Sequence, residues 1–182
     1  MLSRTRSAAV YGVDAAPVEV EVHVSSGGNG EIQIVGLPDA AIRESRARVV
    51  AAIRNSGFEV PHQRLTISLA PADVRKEGAA FDLPIAVGIL ASAGLVHAGA
   101  AYPGDVAAPL LVGELALDGR LRPVRGVLPI AMMARDRKMS SLVVPEGNGP
   151  EAALAEGVSV FGLDTLSQVV AFLNGTGERP RQ

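Results

Sequence analysis

The sequence contains no cysteine, and aromatic residues make up only 3% of its 182 positions. Without cysteine there is no disulfide, no thiolate metal site and no thiol nucleophile. Few aromatics weaken any scheme in which bases stack on Phe or Tyr. Neither sign of charge dominates: the formal net charge is −2, so there is no global attraction to nucleic acid, although a local basic patch remains open. The three histidines, His23, His62 and His97, are scattered and read as structural or solvated. Long apolar runs are missing too. The start, MLSRTRSAAVYG, lacks the core of a signal peptide. No stretch reaches the ~20 apolar residues of a membrane helix. The longest apolar zone, Leu83 to Val96, is interrupted by Pro84, Gly88 and Gly94. A soluble, cytoplasmic protein with no membrane partner is expected. There is no G-x-x-x-x-G-K-[ST] phosphate loop and no His-Glu-x-x-His, and Gly27-Gly28-Asn29-Gly30 lacks dinucleotide spacing. The chain alone is therefore expected neither to hydrolyse ATP nor to hold a metal or cofactor.

What is present is an aliphatic core: 48% of residues are hydrophobic, enough for one domain. Residues 4–11 and 18–25 alternate, with Val18, Val20, Val22 and Val24 opposite Glu19, Glu21 and His23, as half-buried strands do. A third strand is expected at 31–35, giving an antiparallel meander with one wet face. Pro38 to Ser56 is the clearest helix, with Asp39 at its positive end and Gly57 past its finish. Ile42, Val49 and Ile53 form its apolar arc. Arg43, Arg46 and Arg54 flank that arc, either as a solvated margin or as part of a phosphate-binding patch.

Leu65 to Ile89 organises the rest: a buried strand at 65–69, a loop containing Lys76-Glu77-Gly78, then an almost wholly apolar helix over 83–93. Such strand–loop–helix junctions hold nucleophiles or anions in many folds, yet here the candidate positions are Ala79 and Ala80. Ser68 lies upstream in the strand. Asp82 is expected to cap the helix and Glu77 to be solvated. Arg75 and Lys76 are expected to project from the loop. Downstream, residues 97–109 read as a loop of small residues. A strand follows at 110–113, then a hairpin turning at Asp118-Gly119, a helix from Val127 to Lys138, strands at 141–144 and 158–161 flanking a helical turn over 151–156, and a closing helix at 163–173 capped by Asp164 or Thr165. The polar tail from Asn174 reads as a linker.

At LPDAAIRES, KEGAAFDLPIA and GELALDGRLRPVRGVLPIA the sequence resembles the amino-terminal domain of the ComM/YifB family of magnesium-chelatase-like AAA+ proteins. The three segments match in order and spacing, and the resemblance spans roughly Ser7 to Asn174. It implies an α/β (α+β) fold of the ribosomal protein S5 domain 2-like type, similar to the Lon proteolytic domain, with helices packed on a mixed sheet. It also implies a domain at 1–174, a linker at 175–182 and an ATPase module elsewhere in the parent, which would carry ATP and Mg²⁺. Partners would be that module, neighbouring subunits of a hexamer, and single-stranded or branched DNA, with Arg75, Lys76, Arg43, Arg46 and Arg54 as candidate contacts. The catalytic serine and lysine of Lon-like peptidases fall on Ala80 and Leu128. A methyl group cannot attack a carbonyl, and a leucine cannot accept a proton. The resemblance thus implies a non-catalytic domain in a branch-migration machine of DNA uptake and recombination. The alternative is a protein-interaction or oligomerisation module with no DNA contact.

Overall fold

A computed structural model describes residues 1–97 and 108–177. Most of the expected loop 97–109, and the tail from 178, lie outside the described residues. The chain opens with a long hairpin of β1 (Leu2–Tyr11) and β2 (Asp14–Val24). The alternation seen in the sequence is realised: Val18, Val20 and Val22 are buried while Glu19 and His23 are exposed.

The expected meander ends there. β3 (Ile32–Val35) does not pair with β2. It pairs in parallel with β4 (Leu65–Ala70), which itself pairs antiparallel with β2. The reason lies in the connection. Helix α1 (Ala40–Asn55) joins β3 to β4, and strands linked by a crossover helix lie parallel. The remaining elements are α2 (Asp82–Ser92), β5 (Leu110–Leu111), the ribbon β6 (Glu114–Leu115) and β7 (Leu121–Arg122), α3 (Val127–Asp136), β8 (Ser141–Pro145), the short α4 (Gly149–Ala152), β9 (Ser159–Leu163) and α5 (Leu166–Leu173). The main sheet has seven strands in the order β3-β4-β2-β1-β5-β8-β9. Only β2 runs against the others. This is the mixed α/β sheet with packed helices that the sequence implied.

Successive residues of a strand face opposite sides, and the two cores follow that rule. Ala9, Leu111 and Val143 join α1, α2 and α5 on one face. Ala8, Leu110, Leu142 and Val144 join α3 and α4 on the other. Helix α2 is buried almost throughout, as its all-round apolarity required. It lies so close to the sheet that a Cβ at Gly88 would stand 2.7 Å from Val22 Cγ2. A row of hydroxyls from β1 meets carbonyls on this side: Ser3 Oγ donates to Gly88 O (2.6 Å), Thr5 Oγ1 to Pro84 O (2.9 Å) and Ser7 Oγ to Leu111 O (2.8 Å). No helix among the described residues is long and apolar enough to cross a membrane.

Candidate functional site

The loop between β4 and α2 is held by two buried charges. The first is Lys76, whose side chain has no solvent exposure. Its Nζ donates to Gly36 O (2.8 Å) and to Pro71 O. Its backbone N–H donates to Leu37 O (3.2 Å), and its carbonyl accepts from Asp39 N–H (3.1 Å). Lys76 therefore does not project toward a ligand; it ties the ends of β3 and β4 to the loop. Burial lowers its pKa, with Asp73 opposing the shift. The approach of the segments is tight: at Gly36, φ is +103° and a Cβ would fall 2.1 Å from Leu69 O, so only glycine fits.

Asp39 adds a second tie. One oxygen accepts from Ile42 N–H (2.8 Å) as the N-cap of α1, and the other accepts from Gly78 N–H (3.0 Å). The expected role at the positive end of the helix is present. The link to the loop is additional.

The second buried charge is Asp82, also without exposure. It is the first residue of α2 rather than its cap; Phe81 occupies the cap position without a side-chain bond. The Asp82 carboxylate is turned instead toward α1 and β6. It accepts from Ser45 Oγ (2.5 Å), from Arg48 Nε (2.8 Å) and Nη2 (3.1 Å), and from Leu115 N–H (3.1 Å). The hydrogen bond to Asp82 raises the Arg48 pKa. Neither Ser45 nor Arg48 was singled out in the sequence. Their three-residue spacing on the buried side of α1, beside Ile42 and Val49, is the signal that was there.

Between these anchors the loop presents Glu77, Gly78, Ala79 and Ala80 to an open cleft of about 560 Å³. The opposite wall includes Ala8, Val10 and Arg125. Ala80 lies in the cleft, but Leu128 does not line it. Leu128 packs against the α3 core, and its N–H donates to Glu151 Oε1 (3.2 Å). Ser68, half-buried within β4, is not part of the lining either. Glu77 is exposed and pairs with Arg75 (3.4 Å), so it and the buried Asp82 do not form a facing carboxylate pair.

The candidate basic residues divide. Arg43 and Arg75 line one shallow groove of about 380 Å³ together with the exposed Leu37. Arg43 Nη1 donates to Pro38 O (2.9 Å). Arg46 is turned to the edge strand, where its Nη1 donates to Ile32 O (3.2 Å). Covering an edge carbonyl with a cation is a common way to blunt a free strand. Arg54 stands at the other end of α1, about 16 Å from Arg43 at the helical rise per residue.

The family described as subunit ChlI of Mg-chelatase matches residues 20–148. The competence protein ComM of Haemophilus influenzae is 41% identical over 96% of this chain and 33% of its own length. YifB of Escherichia coli is 42% identical over 99% of this chain and 35% of its own length. An uncharacterised protein of Mycobacterium tuberculosis is 44% identical over 96% and 34%. The chain thus spans about a third of the length of the curated relatives it matches. The matches in sequence, running through both the anchored loop and the α1 segment that holds it, show that the chain belongs to the ChlI-type, magnesium-chelatase-like AAA+ family together with ComM and YifB.

Proposed function

We propose that this chain is a non-catalytic, Lon-like domain of a ComM/YifB-type AAA+ ATPase, engaging DNA and helping to organise a hexamer for branch migration in the cytoplasm. The single observation that carries DNA engagement is the convergence of Arg43 and Arg75 on one open groove, where two guanidinium groups from different segments can share a phosphate backbone. The absence of catalysis is supported by the loop itself: Ala79 and Ala80 offer only methyl groups at the cleft, and Leu128 lies outside it.

ATP and Mg²⁺ belong, in this reading, to the ATPase module of the parent. The 182 residues contain no G-x-x-x-x-G-K-[ST] run. Among the described residues no cluster of three or more His, Asp or Glu is suited to a metal ion. The residues present therefore do not fit a nucleotide–magnesium site. We also place the domain at 1–174, with 175–182 as the linker toward that module.

The test is fluorescence anisotropy of a labelled single-stranded oligonucleotide against the chain across a salt series. Expected is binding that weakens with salt at a slope near about −0.7 per phosphate contact. Arg43→Ala with Arg75→Ala should reduce the slope by about two contacts, while Arg54→Ala leaves it unchanged. Equal binding by the double variant, or no binding by either this chain or the ATPase-containing parent, would favour an interaction module with no DNA contact.

A further inference from the structure

β1 pairs with β2 along its whole length but meets β5 at a single position, Arg6 opposite Leu110. Past Leu111 the chain turns away from β1: Val112 N–H donates to Val143 O (3.2 Å) and Gly113 N–H to Ala80 O (3.0 Å). Backbone groups alternate between the two edges of a strand. Val112 faces β8, so Leu111 faces β1, and Arg6, which is opposite Leu110, faces β5. Ala8 and Val10, two and four residues further on, turn their N–H and C=O the same way as Arg6. Among the described residues no strand lies there. The open cleft beside the 77–80 loop lies there instead.

Ala8 is only 2% exposed. Among the described residues no hydrogen bond from a loop or side chain reaches the backbone of Ala8 or Val10 on that edge. Buried backbone groups are paired in the great majority of cases, so the described residues leave this edge short of one strand. The walls around it are small, and the volume of about 560 Å³ falls within the ~300–1,000 Å³ of sites that hold ligands. The lining carries three carboxylates, Asp39, Glu77 and Glu114, against one guanidinium, Arg125. Among the described residues the ion pairs of Glu77 and Glu114 are with the exposed Arg75 (3.4 Å) and Arg122 (3.7 Å), and such surface pairs exchange at little cost.

We propose that the open edge of β1 takes up an extended peptide bearing lysine or arginine as an added strand. Main-chain hydrogen bonds to Ala8 and Val10 give affinity. The acidic lining selects a basic side chain, as strand addition to a sheet edge commonly works. This cleft adjoins the Arg43–Arg75 groove, sharing Asp39 with it, but the proposal stands whether or not that groove binds DNA.

The experiment titrates the ¹⁵N-labelled chain with a capped hexapeptide alternating lysine and valine. Expected are saturable shifts of the Ala8, Val10, Ala79 and Ala80 amides. A glutamate–valine peptide of the same length should bind at least about tenfold more weakly. Ala80→Trp, which fills the cleft, should abolish the shifts at Ala8 and Val10. Glu77→Lys, an exposed change that leaves the floor intact, should weaken the lysine peptide severalfold and strengthen the glutamate peptide. Each variant is first checked for a native spectrum. No shift at millimolar peptide, shifts clustered away from β1, or equal binding of the two peptides would overturn the proposal.

Discussion

Lys76 and Asp82 are both fully buried, and they bracket the same loop, yet the fold satisfies them in opposite ways. Asp82 has a charged partner: Arg48 reaches it with two nitrogens, and Ser45 and the Leu115 amide complete its shell. Among the described residues Lys76 Nζ donates only to carbonyl oxygens, those of Gly36 and Pro71, with the Asp73 charge acting on it without an ion pair. A carboxylate accepts from several directions, so it can join α1, α2 and β6 at one point. An ammonium has three donors and no acceptor, which suits strand ends whose carbonyls are left over. The comparison teaches that the loop is fixed at both ends by electrostatics, leaving Gly78, Ala79 and Ala80 between them free to be small.

Four changes would break or sharpen that contrast. Asp82→Ala removes the buried carboxylate from Arg48, which keeps only the exposed Glu44 as a charged partner among the described residues, and should cost about 3–5 kcal/mol, read as a fall in the urea midpoint. Lys76→Met removes a cation but leaves two carbonyls without donors, and should cost about 1–3 kcal/mol. The pH dependence separates the two further. Because burial lowers the Lys76 pKa, the folded chain gives up that proton before the unfolded chain does. Stability should therefore gain a contribution as pH rises through the window below 10.5. Lys76→Met should lack that gain, whereas Asp82→Ala should keep it; urea melts across alkaline pH decide. Asp39→Ala removes a helix cap and the tie to Gly78, for about 1–2 kcal/mol, and should speed hydrogen exchange at the Gly78 amide. Arg75→Ala, on the exposed loop, should alter stability by no more than about 0.5 kcal/mol, which keeps its DNA readout interpretable.

Much of the local structure was legible. Asp39 announced the start of α1 and Gly57 its end. Thr165 caps α5, accepting from Gln168 N–H at 3.2 Å. Asp118-Gly119 turns the β6–β7 ribbon. The chemistry of position 80 was legible as well, because an alanine offers only a methyl group wherever it lies. Burial of individual charges was not. Arg75 and Lys76 are neighbours in a polar loop, and nothing in that dipeptide says which one turns inward. Arg43, Arg46 and Arg54 look alike along the helix, but only Arg43 meets Arg75, because that depends on where the 71–81 loop returns.

The sequence by itself determined the caps, the turns and the alternation of β2, since each arises from interactions among residues a few positions apart. Only the tertiary structure decided that β4 separates β2 from β3 and that β1 meets β5 at Arg6 alone among the described residues. It also decided that Asp82 serves Arg48 rather than its own helix. Those outcomes rest on contacts 34 residues apart for Asp82–Arg48 and 40 apart for Lys76–Gly36. Their free energy depends on burial, which no short window of sequence contains.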